Sequence, residues 1–179
     1  MSKAVVQITR ALDYAARKHA DQRRKGAAQE PYINHLAEVA YLLAEATGGS
    51  DANLIIAGLL HDCIEDQGVT HAELAELFGA EVADLVRDVT DDKTLLKAER
   101  KRLQVEHTPH KSDRAKMLKI ADKTSNLRSL AVSPPKGWDE QRIRDYYAWA
   151  KAVVAGCRGV NAYLEEKFDA AYRSGSTNP

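Results

Sequence analysis

The chain has 179 residues, 44% hydrophobic and 29% charged, the composition of an ordinary globular protein rather than a disordered or fibrous one. Lys plus Arg number 26 and Asp plus Glu number 26, so no global field draws the chain to nucleic acid or to an anionic membrane. Its length suits one domain with its own core, taken as residues 1–179, and any anionic ligand must be met by local clusters. No apolar run is long enough to span a bilayer and the N-terminus lacks a leader's apolar stretch, so a cytoplasmic location is expected. Cys63 and Cys157 form no CxxC pair and are expected to be free thiols.

Val5, Ile8, Leu12, Ala15 and His19 recur at helical spacing, which predicts a helix over about 4–20, ended by the charged loop Asp21-Gln-Arg-Arg-Lys-Gly26. A second helix starts near Asn34 or His35, presents Leu36, Val39 and Leu43, and stops at Gly48-Gly49. Asp51 caps a third, expected to run from Ala52 to about Glu65. Its density of Leu and Ile is too high for one stripe, so it should be the central buried helix. Thr70-His-Ala-Glu73 reads as a capping box opening a short helix that Gly79 closes, and another runs from Ala80 to Val89. After the polar loop Thr90–Thr94, a charged helix passes through Lys97, Arg100, Leu103 and Val105 and should end at Pro109. Ser112 opens the next, which Pro134-Pro135 breaks. A long pattern resumes after Trp138, bent or split at Gly156 and Gly159, with a frayed tail from about Ser174. No segment alternates as a strand, so the fold class is all-α, a helical bundle.

The sequence His61-Asp-Cys-Ile-Glu-Asp66 places four ionisable side chains at the end of an otherwise apolar helix. If that helix persists, Glu65 and Asp66 fall within one turn of His61 and Asp62, and the crowded carboxylates call for a divalent cation. His35 and Asp122 lie where apolar neighbours turn them inward, towards the same centre. Two imidazoles and two carboxylates without a thiolate suit Mn²⁺, Fe²⁺, Co²⁺ or Zn²⁺ with water in open positions. Taken singly, each residue is more often a hydrogen-bonded structural group than a ligand; the ordered set of His, His-Asp and Asp over three helices, with Glu-Asp following the dyad, favours the metal.

Arg24-Lys25, Pro31-Tyr-Ile-Asn-His35, His61-Asp-Cys-Ile-Glu-Asp66, Val89-Thr-Asp-Asp-Lys93 and Ala121-Asp-Lys-Thr-Ser-Asn126 together resemble the hydrolase domain of RelA/SpoT proteins, an HD-type fold. The likeness runs from about Ala11 to Leu164 and is greatest to the small stand-alone hydrolases of that family. It implies an all-helical Mn²⁺ enzyme that removes pyrophosphate from the 3′ position of ppGpp and pppGpp. Carried over by motif, His35, His61, Asp62 and Asp122 hold the ion, while Glu65 and Asp66 position and activate the attacking water. Leu36 stands where most members have Pro, and Gln67 where a small hydroxylated residue is common. The chain ends where larger relatives begin a synthetase domain, so a dedicated hydrolase is expected.

Glu65 is the favoured base, although spacing alone leaves the reverse assignment with Asp66 open. For the phosphates, Arg24 and Lys25 are the preferred cations, where a guanidinium can also stack on a base, with Lys97 and Arg142 behind them. Asn126 reaches either the ribose or base or serves as a buried amide, and Tyr146 is a candidate pocket wall. The competing enzyme reading is an HD-type nucleotidase or phosphatase acting on another phosphorylated nucleotide such as NADPH. A nucleotide sensor without turnover is disfavoured by the presence of Glu65 and Asp66, and a nucleic-acid module by the zero net charge.

Overall fold

The computed structural model describes residues 3–176. Its ten α-helices are α1 (Lys3–Lys18), α2 (Ile33–Thr47), α3 (Ala52–Leu60), α4 (Cys63–Gln67), α5 (His71–Phe78), α6 (Ala80–Val89), α7 (Lys97–His107), α8 (Asp113–Val132), α9 (Glu140–Ala155) and α10 (Ala162–Ser176). A 3₁₀ turn over Thr108–His110 follows α7, where Pro109 ends the α-helical pattern. No strand occurs among the described residues, only two isolated bridges.

The apolar run in α3 sets the architecture. Every residue from Leu54 to Leu60 is buried, so α3 has no wet face and is wrapped by α1, α2, α6 and α8. Each large aliphatic side chain removed from water there contributes about 1.5–3 kcal/mol. Helix ends follow local chemistry: Asp51, Thr70, Ser112 and Asp139 each accept a backbone N–H three residues on, and Gly48 closes α2 in the left-handed conformation. The expected capping box opens α5: Thr70 accepts the Glu73 N–H at 3.1 Å, and the Glu73 carboxylate, with the Thr70 backbone N–H among its partners, also accepts from the Tyr14 hydroxyl at 2.6 Å and pairs with Lys18 at 3.2 Å.

Two expectations about helix ends fail. The third helix does not continue to Glu65 but stops at Leu60. The chain turns through His61 and Asp62, and α4 restarts at Cys63. The His61 imidazole takes the Gly58 carbonyl at 2.8 Å, binding the ring back onto the last turn of α3. The tail is helical rather than frayed from Ser174, since α10 continues to Ser176. Gly175 permits this by close approach: a Cβ there would fall 1.7 Å from the Tyr147 hydroxyl oxygen. The last residues of the expected tail, 177–179, lie outside the described ones.

The loop between α1 and α2 folds over one end of the bundle, bridging Arg23 to Pro31 and Gly26 to Pro135. Both cysteines are buried free thiols. No described helix is long and apolar enough to cross a membrane.

Burial separates two otherwise similar leucines. Leu43→Ala, at a fully buried position, is expected to lower the unfolding free energy by about 2–5 kcal/mol in urea titrations. Leu96→Ala, at a side chain 82% exposed, is expected to change it by less than about 0.5 kcal/mol.

Candidate active site and metal centre

The helix break at His61 and Asp62 brings three parts of the chain to one point. His35 comes from the start of α2, the dyad from the turn between α3 and α4, and Asp122 from the middle of α8. His35 Nε2 lies 3.7 Å from Asp62 Oδ2 and 3.4 Å from Asp122 Oδ1, and His61 Nε2 lies 3.1 and 3.9 Å from the same two atoms. Both histidines, Asp122 and most of Asp62 are buried.

The outer contacts of each ring define its tautomer. Ser125 Oγ donates to Glu38 at 2.6 Å and therefore receives the His35 Nδ1–H at 2.9 Å. His61 Nδ1–H donates to the Gly58 carbonyl. Both Nε2 atoms then point into the centre with free lone pairs, and His61 Nε2 is buried without a hydrogen-bond partner. Such an orphaned nitrogen facing two carboxylates suits a metal ion. His35, His61 and Asp62 each offer a donor atom within 4.8 Å of the others, and Asp122 Oδ1 closes the set from α8.

Electrostatics show the same demand for positive charge. Burial alone would suppress protonation of His61, yet the facing Asp62 and Asp122 push its pKa up to about 9. Burial also opposes a charge on Asp122, but Lys123 beside it, with His35 and His61, holds its carboxyl well below the usual range. Lys123 Nζ takes Asp122 Oδ2 at 2.9 Å and Asn126 Nδ2 donates to Oδ1 at 2.6 Å. Asp62 Oδ2 accepts from the Tyr32 hydroxyl at 2.7 Å.

Glu65 and Asp66 lie in the first turn of α4, the Asp66 N–H donating to the Asp62 carbonyl at 2.8 Å, and their carboxylates take different partners. Glu65 receives the Asp91 backbone N–H at 3.2 Å and has Arg100 at 3.7 Å. Burial, then Asp62 and Asp91, push its pKa up. Asp66 has both oxygens engaged, Oδ2 by Gln22 at 2.8 Å and Oδ1 by Lys93.

A cavity of about 470 Å³ opens over this centre. Arg24, Lys25, Lys97, Asn126 and Tyr146 all line it, as do Arg23, Lys93, Arg100 and Lys101. Arg142 does not: its guanidinium stacks 4.5 Å over Trp138, which supplies the wall in its place. Its charge is still felt, because burial and then Arg142, Lys25 and Arg100 push the Lys97 pKa down. Asn126 is a partly buried amide tying Asp122 to Arg24, whose guanidinium it accepts at 2.8 Å. Tyr146 packs between Trp138 and Trp149.

Tyr32, Gln22, Lys123 and Ser125 were not assigned roles by the sequence reading. Tyr32 and Ser125 lie inside the quoted motifs, and buried Lys119 and Lys123, four apart on a helix with apolar neighbours, were a readable signal. Gln22 carried none beyond its place in a polar loop. Gln67, larger than the residue common at its position in the resembled family, reaches Gln22 Oε1 at 2.6 Å.

The HD domain family matches residues 11–148. The MESH1 guanosine-3′,5′-bis(diphosphate) 3′-pyrophosphohydrolase of Xenopus tropicalis is 49% identical over 169 residues, 94% of each chain. Its Homo sapiens counterpart is 50% identical over 166 residues, 93% of each chain. A solved structure described as a metazoan ortholog of SpoT that hydrolyzes ppGpp superposes with a TM-score of 0.89 at 46% identity, over 93% of this chain and 94% of that one. Similarity of this depth over nearly the whole length leaves no ambiguity of membership: the chain belongs to the HD-domain family and, within it, to the group of the MESH1 relatives.

Proposed function

We propose that this protein is a metal-dependent hydrolase of guanosine alarmones, converting ppGpp and pppGpp to GDP and GTP with release of the 3′ pyrophosphate. The observation that carries the reading is the position of Glu65, a partly buried carboxylate with raised proton affinity, in the same cation-lined cavity as a two-histidine, two-aspartate centre whose His61 Nε2 has no hydrogen-bond partner. The related proteins named for this activity on ppGpp support it.

His35, His61, Asp62 and Asp122 are the proposed ligands, and their nitrogen and oxygen donors without a thiolate suit Mn²⁺. A divalent ion there supplies Lewis acidity for a phosphoryl oxygen and lowers the pKa of water. Glu65 accepts the proton of the attacking water, a task suited to a carboxylate whose pKa is moved towards neutrality. Asp66, with Gln22 and Lys93 on its two oxygens, is the fixed anion that orients the water. Arg24, Lys25 and Lys97 meet the phosphates, Arg142 strengthens the positive field from behind Trp138, and Tyr146 walls the nucleotide pocket. Asn126 holds Arg24 and Asp122 in register.

The direct experiment is incubation of purified protein with Mn²⁺ and a panel of nucleotide phosphates, with product identification. Release of pyrophosphate from ppGpp supports the proposal; orthophosphate from NADPH with ppGpp untouched would favour a phosphatase. Asp62→Ala is expected to abolish turnover and to weaken Mn²⁺ binding by at least about tenfold in calorimetry, with helical circular dichroism retained. Full Mn²⁺ affinity in that variant would remove Asp62 from the ligand set. Glu65→Gln keeps size and hydrogen-bonding reach but removes the base, so kcat is expected to fall by about two to four orders of magnitude with KM changed far less. A near wild-type kcat would exclude Glu65 as the base.

A further inference from the structure

Asp66 is held at the edge of a polar cluster whose other members, His19 and Gln67, have no part in the proposed chemistry. His19 at the end of α1 is only 2% exposed, and its ring stacks on Tyr32 at 5.3 Å between centroids and 14° between planes. The Gln22 carboxamide sits between this histidine and the site. Its Nε2 donates to Asp66 Oδ2 at 2.8 Å, while its Oε1 accepts from Gln67 Nε2 at 2.6 Å and from His19 Nδ1.

A carboxamide is nearly symmetric in shape, so only its partners decide which end points where. Here the partners leave one choice. Flipping the Gln22 amide would set its NH₂ against the Gln67 and His19 donors and its oxygen against the Asp66 carboxylate, replacing three attractions by three repulsions. Because the Gln22 oxygen can only accept, His19 donates to it from Nδ1 and presents Nε2 to the Cys63 sulfur at 3.6 Å, with the Gln67 amide nitrogen 3.2 Å from the same Nδ1. Backbone bonds hold the frame: Gln22 N–H to the His19 carbonyl at 3.1 Å, and Tyr32 N–H to the Gln22 carbonyl at 3.0 Å. The other partner of Asp66, Lys93, is a flexible side chain 48% exposed, so the rigid half of the hold on this carboxylate comes from Gln22.

We infer that Gln22 is a positioning residue for the reaction: its amide, aimed by His19 and Gln67, holds Asp66 at the angle from which it orients the attacking water. His19 joins the same network to the metal centre, since the Tyr32 on which it stacks donates to Asp62. The inference rests on the proposed place of Asp66 in the hydrolytic site. It accounts for Gln67, whose length lets the residue beside Asp66 reach back to Gln22.

Gln22→Glu isolates the contact. The glutamate keeps an oxygen for Gln67 and His19 and the same volume, but sets a second oxygen against Asp66, turning a hydrogen bond into a repulsion. With ppGpp and Mn²⁺, kcat is expected to fall about 10- to 100-fold, the usual effect of losing a supporting contact, while KM stays within about threefold. Gln67→Ala, which removes one of the two aiming donors, is expected to lower kcat by a smaller factor and to add nothing further in the Gln22→Glu background, because it acts through residue 22. Wild-type protein assayed alongside separates the two levels: no pyrophosphate from the wild type would overturn the proposed function itself. With an active wild type, an unchanged kcat in Gln22→Glu, or a rise in KM alone, would overturn the positioning role. Additive losses in the double variant would overturn the aiming role of Gln67. Should Gln22→Glu fail to fold, Gln67→Ala decides alone, a lowered kcat at constant KM supporting the inference and wild-type kinetics overturning it.

Discussion

Two aspartates, Asp62 and Asp122, direct their oxygens into one buried centre within 4 Å of two imidazole nitrogens, and the surrounding structure answers the charge this creates. Ionised carboxylates removed from water repel each other and lose hydration, so they persist only where positive charge or hydrogen-bond donors compensate. Lys123 and Asn126 serve Asp122, Tyr32 serves Asp62, and the same two carboxylates push the pKa of His61 up to about 9. A divalent ion would answer the same excess of negative charge, and the His61 Nε2 is aimed inward at both carboxylates.

The cost of this centre is distributed along α8. Its middle turns bury Lys119, Asp122, Lys123, Thr124 and Ser125 among Leu118, Ile120, Ala121 and Leu127, and each polar group has a partner. Lys119 takes the Val89 carbonyl, Thr124 the Ile120 carbonyl, and Ser125 links His35 to Glu38. One helix thus supplies both a wall of the core and the outer support of the site, so the site is tied to the most rigid part of the fold rather than to its loops. The loops contribute instead to the cavity, whose lining includes Arg24, Lys25 and Lys93.

Much of this was legible in the chain itself. Periodicity and capping residues located the helices because each depends on a few neighbours: Asp51, Thr70 and Ser112 open theirs as read, and Gly48 closes α2. The motif residues His35, His61, Asp62 and Asp122 do converge, as an uncompensated cluster of that chemistry had to. The misreadings concern geometry that no local rule carries. Apolar periodicity carries the third helix on to Glu65, whereas it ends at Leu60 and the chain turns through His61 and Asp62, the His61 ring binding back to the Gly58 carbonyl and its Nε2 facing Asp122 of α8. Arg142, a candidate cation for the phosphates, stacks on the partly buried Trp138 at 4.5 Å, a cation–π contact that residue type alone does not specify.

By itself, the sequence determined the helical class, the buried apolar helix at the centre and the candidate side chains of the site, because hydrophobic period, capping and the pairing needs of buried charge are properties of short segments. Only the tertiary structure decided how those side chains are aimed. Which oxygen of Asp66 meets Gln22, which nitrogen of each histidine faces inward and which cations reach the cavity depend on contacts between residues as far apart as Arg24 and Asn126. Such contacts exist only once the core has packed and fixed the distance between the segments that carry them.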